Sequence, residues 1–257
     1  MANLLNYKLY PNNHTQTYLL IYHGLFGMLD NWHQIANKLS VYCNVVTVDL
    51  PNHGQSPHYT TMTYESMTEN VIALMDSLGI ETAHHLGHSM GGKMVMKLVD
   101  LFPEKVSKLI VVDIAPRAYK PVHTPYFNAL KSLDFSKFNS RKEADDALGL
   151  VEKNIGIRQF LLKNITKSHS GYSLKINLSA IEDFYPKMID AIRFKNTIIT
   201  PTMFLFGGQS NYINALDIET IKAQFKAVLF HEIENAGHWI HAEKPNETLE
   251  SIIRFLD

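Results

Sequence analysis

A chain of 257 residues, 46% hydrophobic, 19% charged and with a formal net charge of −1, can bury one large core, or one core carrying an inserted sub-domain. The balanced charge, without a basic block, argues against a nucleic-acid partner, and the single cysteine, Cys43, excludes an intrachain disulfide and a thiolate metal cluster. No apolar run approaches the ~20 residues of a membrane span, and "MANLLNYKLYPNNHTQTYLL" lacks a basic region followed by an apolar one. These features predict a soluble, cytoplasmic protein, monomeric or dimeric.

Along the chain, short β-rich runs alternate with runs of helical spacing. "TYLLIYH" (17–23) predicts a strand and "NWHQIANKL" (31–39) a helix. "NVVTVDL" (44–50) is the next strand, followed by a helix over 64–79 that Gly79 caps. "HHLGH" (84–88) and "KLIVVDI" (108–114) are strands on either side of a helix over 90–102. "PTMFLFG" (201–207) and "AVLFHEI" (227–233) are the last strands, and "NETLESIIRFL" (246–256) the last helix. Nearly continuous apolar strands separated by helices predict an α/β fold with a doubly wound, mostly parallel sheet.

The segment 117–196 breaks this rhythm. "PYFNALKSL", "RKEADDALGLVEKN" and "IRQFLLKNI" read as helices and "HSGYSLKI" as a turn with a short extended piece. Some eighty residues exceed a crossover or a loop, so the expectation is a helical cap inserted into a core formed by 1–116 and 197–257.

"GHSMG" (87–91) is G-x-S-x-G between a strand and a helix. That context forces Ser89 onto a strained turn above the carboxyl edge of the sheet, with the Met90 N–H free at the helix start for an oxyanion. The plain alternative is a glycine-rich turn whose serine merely caps the helix. "HGLFG" (23–27) ends an earlier strand and aims the Leu25 N–H at the same point. A serine hydroxyl needs an adjacent base. Among thirteen histidines, His238 in "NAGHWIHAEKP" sits in a loop at the carboxyl edge and is the expected base. His84 and His85 read as packed or surface groups, and His88 as pointing away from the hydroxyl. His241 with His238 carries no metal signature, so no metal and no cofactor are expected.

Taken in order, "HGLFG", "DLPNHGQS", "GHSMGGK", "VVDIAP", "GGQSNYI" and "AGHWIHAEKP" resemble the α/β-hydrolase superfamily, and within it the YbfF-type serine esterases. The resemblance runs from about residue 17 to the C-terminus and is weakest through 117–196. It implies the α/β-hydrolase fold, with Ser89 as nucleophile, His238 as base and the Leu25 and Met90 amides as oxyanion hole. It also implies acyl transfer on a small-molecule acyl ester or thioester. C–C bond hydrolysis and a silent binding protein are the other readings of such a chain.

One position departs from the family pattern. Where most of these hydrolases carry the triad acid after strand 201–207, this chain reads "GGQS", with Ser210 in the acid's place. Asp113 is the candidate acid. The nucleophile helix runs ~21 Å away from the carboxyl edge and strand 108–113 returns ~20 Å to it, beside the nucleophile strand. The alternative is a Ser89–His238 dyad helped by Ser210. Phe26, Trp239, Phe127 and Phe160 are the candidates for substrate contact. Tyr119, Tyr126 and Phe184 are further aromatics of the segment, equally compatible with its own core, and Trp32 reads as core or pocket wall. Lys93 reads as solvent-facing or structural.

Overall fold

The apolar runs become the strands of one sheet in the computed structural model, which describes residues 4–138, 140–169 and 171–257. The first half of the chain gives β1 (Tyr7–Tyr10), β2 (Tyr18–Tyr22), α1 (His33–Leu39), β3 (Asn44–Val48), α2 (Tyr64–Ser77), β4 (Ala83–His88), α3 (Met90–Leu101) and β5 (Val106–Val112). The segment that follows gives α4 (Thr124–Lys131), α5 (Arg141–Leu148), α6 (Ile155–Leu162), β6 (Ile165–Ser168), β7 (Gly171–Leu174) and α7 (Leu178–Met188). The chain ends in β8 (Thr202–Gly207), α8 (Ala215–Gln224), β9 (Val228–Ile233), α9 (Ile240–Glu243) and α10 (Pro245–Leu256).

Seven strands pair in the order β1-β3-β2-β4-β5-β8-β9, with β1 antiparallel and the others parallel. Alternation along each strand feeds two cores. Leu19 and Ile21 of β2 face Ile35 and Leu39 of α1 and Ile252 of α10, whereas Leu20 and Tyr22 join the cluster of Val71 from α2 and Met94 and Val95 from α3. Both faces are thereby covered, which is why the inner strands read as continuous apolar runs.

Four elements differ from the sequence reading. The edge strand β1, "YKLY", is mostly exposed and carries no apolar run. Helix α8 has no amphipathic stripe, with only Asp217 and Ile221 buried. Ile165, read as the end of a helix in "IRQFLLKNI", instead opens β6, which pairs antiparallel with β7 from the extended piece of "HSGYSLKI"; Ser170 lies outside the described residues. The helix expected over 141–154 stops at Leu148, with Asn154 capping α6 instead through the Gly156 and Ile157 amides. Among the described residues, no helix is long and apolar enough to cross a membrane.

Candidate active site

Ser89 stands between β4 and α3 with φ 53° and ψ −113°. A non-glycine residue held there costs roughly 1–3 kcal/mol, so the surroundings must over-determine it. They do so by close approach. A Cβ at Gly87 would collide with the Gly91 carbonyl, and one at Gly91 with the carbonyls of Tyr22 and His23. The two glycines let α3 start hard against β4 and β2, and the Ser89 amide is tied to the Val112 carbonyl at 3.0 Å.

Neighbouring strand ends are bent the same way. Phe26 after β2, Asn52 after β3 and Asp113 after β5 have φ of 59°, 65° and 49°. Two buried histidines brace the first two of these loops against each other. His23 donates Nδ1–H to the Gly24 carbonyl and accepts the Leu50 N–H on Nε2 at 2.9 Å. His53 donates Nδ1–H to the Pro51 carbonyl and accepts the Phe26 N–H on Nε2 at 3.3 Å. Both rings must stay neutral to do this. Burial lowers His23 to about 4 and His53 to about 3, the latter also through its histidine neighbour. With Phe26's amide taken, the Leu25 N–H has no acceptor among the described residues. The Met90 N–H, at the first position of α3, has no intrahelical partner either.

His238 follows β9. Its Nδ1 donates to Asp113 Oδ2 at 2.6 Å, and the Asp113 side chain is fully buried. The same carboxylate accepts the Gly207 N–H on Oδ1 at 3.1 Å and the Ser210 hydroxyl on Oδ2 at 2.5 Å. Asp113 and Ser210 are therefore not rivals for the imidazole: Ser210 bonds the carboxylate that holds it. Tyr212 stacks on the His238 ring at 3.9 Å. The His88 side chain donates Nε2–H to the His238 carbonyl at 2.9 Å and is kept well below its usual pKa, first by burial and then by the neighbouring histidines. The roles of His23, His53 and His88 in holding these loops are not legible in the motifs; the only trace is the pair "HGLFG" and "DLPNHGQS", whose histidines turn out to be reciprocal.

Two cavities meet at this point, sharing Leu25, Ser89, Val122, His123 and Tyr212. One, of about 230 Å³, contains His238 and is walled by Phe26, Trp32, Phe160 and Trp239. The other, of about 340 Å³, is walled by Tyr64, Met90, Ile114, Tyr119, Met188 and Ile189. Tyr126 lines the first. Phe127, expected at the substrate wall, lines neither: it is buried edge-on against Phe26 at 5.0 Å and beside Tyr185 at 5.1 Å, one layer behind the wall. Phe184 is likewise internal, packed on Tyr64.

Lys93, one turn into α3, is only 2% exposed. Its ammonium donates to the carbonyls of Arg117 (3.0 Å) and Asp190 (2.5 Å), where the segment 117–196 leaves and rejoins the core, so the solvent-facing alternative falls away. Among the described residues, no three His, Cys, Asp or Glu side chains gather as a metal site.

The alpha/beta hydrolase fold family matches residues 17–245 of the chain. The sn-1-specific diacylglycerol lipase ABHD11 of Danio rerio is 36% identical over 98% of this chain and 82% of its own. Esterase YbfF of Escherichia coli (strain K12) is 34% identical over 96% of this chain and 95% of its own. A solved structure described as a marine microorganism esterase superposes with a TM-score of 0.95 at 38% identity, covering 99% of this chain and all of that one. The sheet order, the strained serine between β4 and α3 and these full-length similarities lead to one conclusion: the chain belongs to the α/β-hydrolase family.

Proposed function

We propose that the chain is a serine carboxylic-ester hydrolase acting through an acyl-enzyme on Ser89. One observation carries the reading: a serine on a strained strand-to-helix corner opens into the same cavity as His238, whose other nitrogen is committed to a buried carboxylate. Asp113 fixes the tautomer that leaves Nε2 free to accept the serine proton, and its charge stabilises the imidazolium that results. Ser89 Oγ attacks the ester carbonyl carbon. The carbonyl oxygen takes up the negative charge and is met by the Leu25 and Met90 N–H groups. When the intermediate collapses, the bond to the alcohol oxygen breaks and His238 returns its proton to that oxygen. Water then attacks the acyl carbon with His238 again as base, releasing the acid and restoring Ser89. Ser210, donating to Asp113 Oδ2, secures the carboxylate orientation.

In this reading the segment 117–196 is a cap that roofs Ser89, supplying Val122, His123, Tyr126 and Phe160 to the cavity walls. Such a roof excludes water and shapes the pocket. Relatives named as an esterase and a diacylglycerol lipase support carboxylic esters, glycerides among them, as substrates, with acyl thioesters as the further arm of a substrate panel. Labelling with an alkyl fluorophosphonate, read by peptide mass, tests the nucleophile. The label should land on Ser89 and vanish in Ser89→Ala. A folded wild-type chain that stays unlabelled and leaves short acyl esters intact refutes the proposal.

A further inference from the structure

The two cavities meeting at Ser89 are unlike each other, and only one holds the base. We propose that they divide the substrate: the acyl chain lies in the chamber of Met90, Met188 and Ile189, and the alcohol arm in the chamber of His238, Phe160 and Trp239. This rests on the acyl-enzyme reading of Ser89 and adds to it the direction in which each half of the ester lies.

The argument starts from the proton. His238 must hand its proton to the departing alcohol oxygen, so that oxygen leaves on the side where His238 stands. His238 lines the 230 Å³ chamber and is absent from the walls of the 340 Å³ chamber. The acyl group stays on Ser89 after the alcohol has gone and occupies the other side.

The chemistry of the walls agrees. In the acyl chamber Tyr64, Lys93, Arg117 and Tyr119 are engaged with the protein itself, while Lys120 and Asn211 also line it. Lys93 bonds two carbonyls, and Arg117 pairs with Asp217 at 2.9 Å and stacks on Tyr119 at 4.0 Å. Leu25, Tyr64, Ile114, Met188 and Ile189 remain for contact, a surface for an unbranched apolar chain. Methionine adapts to such occupants.

The alcohol chamber is different. Its walls include Asn31, His88 and His241 beside Trp32 and Trp239, a more polar lining than that of the acyl chamber's Met90, Ile114, Met188 and Ile189. Asn31, Ile157, Phe160, Trp239 and His241 are also walls of an adjoining cavity of about 600 Å³ that adds Asn154, Gln159, Lys163 and Glu243. The alcohol arm therefore has a long, polar way out. The substrate class is an ester of an unbranched fatty acid with a sizeable polar alcohol, rather than an ester of a bulky acid with a small one.

Two ester series test this: acetyl to decanoyl esters of one alcohol, and butanoyl esters of ethanol, glycerol and larger polyols. The variants are Ile189→Trp and Met188→Ala in one chamber, Ile157→Trp and Phe160→Ala in the other. Ile189→Trp should depress kcat/KM for decanoyl against acetyl esters by about tenfold or more, whatever the alcohol, and Met188→Ala should move the optimum to longer chains. Ile157→Trp and Phe160→Ala should re-rank the alcohols by about tenfold while leaving the acyl order in place.

A second readout separates the halves. Breakdown of one common acyl-enzyme, followed in a single turnover, should slow in the acyl-chamber variants. In the alcohol-chamber variants it should hold within about twofold, because the alcohol has already left. The reverse pattern, or variants of both chambers re-ranking the same series, overturns the assignment. Titration of Ser89 with the fluorophosphonate gives the active fraction of each protein. Ser89 reactive with the wrong ranking sinks the chamber assignment alone, whereas Ser89 unreactive in the wild type sinks the acyl-enzyme reading. If Ile189→Trp does not fold, the direction of the Met188→Ala shift decides.

Discussion

The strand-end loops and the segment 117–196 meet over Ser89, but different forces hold them. The loops are rigid by polar over-determination. Phe26, Asn52, Ser89 and Asp113 all sit at positive φ, and buried side chains of His23, His53 and Asp113 bond the backbone around them. The segment is held mainly by apolar packing of Phe127, Leu130, Leu161, Ile181 and Phe184. Its polar ties to the core include Asn164 Nδ2 to the Phe26 carbonyl, Tyr64 Oη to the Met188 carbonyl, and Lys93. A reaction centre needs angles fixed to a fraction of an ångström, whereas a cover needs volume and shape. Strain is therefore concentrated where the proposed chemistry is.

The sharpest way to break this comparison is at the serine. Ser89→Ala should leave a folded protein, because the corner is set by Gly87 and Gly91 rather than by the hydroxyl. Ester turnover should fall by roughly 10⁶ in kcat, as for other serine nucleophiles. Residual turnover near the wild-type rate, in protein with an unchanged melting curve, rejects Ser89 as nucleophile.

Next in size is the acid. Asp113→Asn should lower kcat by ~10³–10⁴, since an amide cannot stabilise the imidazolium and invites the wrong tautomer. Ser210→Ala removes one neutral hydrogen bond to the carboxylate, which still accepts from Gly207, so about tenfold is expected. If Ser210→Ala proves the more damaging of the two in steady-state kinetics, the order of these groups around His238 is wrong.

The core was legible in the sequence because its physics is local. Apolar runs marked β2, β3, β5 and β8, and the glycine spacing around Ser89 marked the corner at the end of β4. The place of Asp113 at the end of the strand beside the nucleophile strand followed from helix and strand lengths, and its candidacy as the acid from the family resemblance. What escaped depended on contacts between distant loops. Nothing near His53 says that its ring accepts the Phe26 amide, and nothing near Phe127 separates a wall residue from one a layer behind it. Aromatics at helical spacing look the same in both places. Strand β1 was invisible for the opposite reason: an exposed edge of four residues needs no apolar signature.

The third prediction tests whether the loop bracing matters to rate. His53→Ala leaves the buried Phe26 N–H without an acceptor and loosens the loop that aims Leu25. A misplaced oxyanion donor should cost about 10² in kcat with KM little changed. His53→Gln, whose carbonyl can accept the same N–H, should recover part of the loss. The bracing also has a pH signature. His23 and His53 titrate near 6.5 when unfolded but near about 4 and about 3 when folded, so between those values the unfolded chain binds more protons. Stability is then fully present above pH 6.5 and lost as pH falls, by about 3 kcal/mol per histidine by pH 4. Urea midpoints between pH 7 and 4 should show that fall, with a shallower slope in His53→Gln. An equal slope in both proteins assigns the acid sensitivity to other groups.

The smallest effect expected lies at the joint between the two regions. Lys93 reaches from the nucleophile helix to the carbonyls of Arg117 and Asp190, so one ammonium pins both ends of the segment. Lys93→Met keeps the length of the side chain but leaves both carbonyls without this donor, which costs about 1–3 kcal/mol. The desolvation of a buried cation is removed at the same time, so the net loss should be the smaller part of that range. With the proposed cap less firmly seated, KM should rise by a few-fold while kcat, set by the strained loops, changes less. Burial lowers the Lys93 ammonium to about 7, against an opposing pull from Asp190 and with a further push from Arg117. An unfolded lysine keeps its proton to about 10.4, so between these values the unfolded state binds more protons and the wild type gains stability as pH rises. The difference in Tm between wild type and Lys93→Met should therefore widen from pH 7 to pH 9. If it stays level instead, the ammonium stays charged in the fold and the joint is an ionic clasp rather than one an uncharged amine can hold.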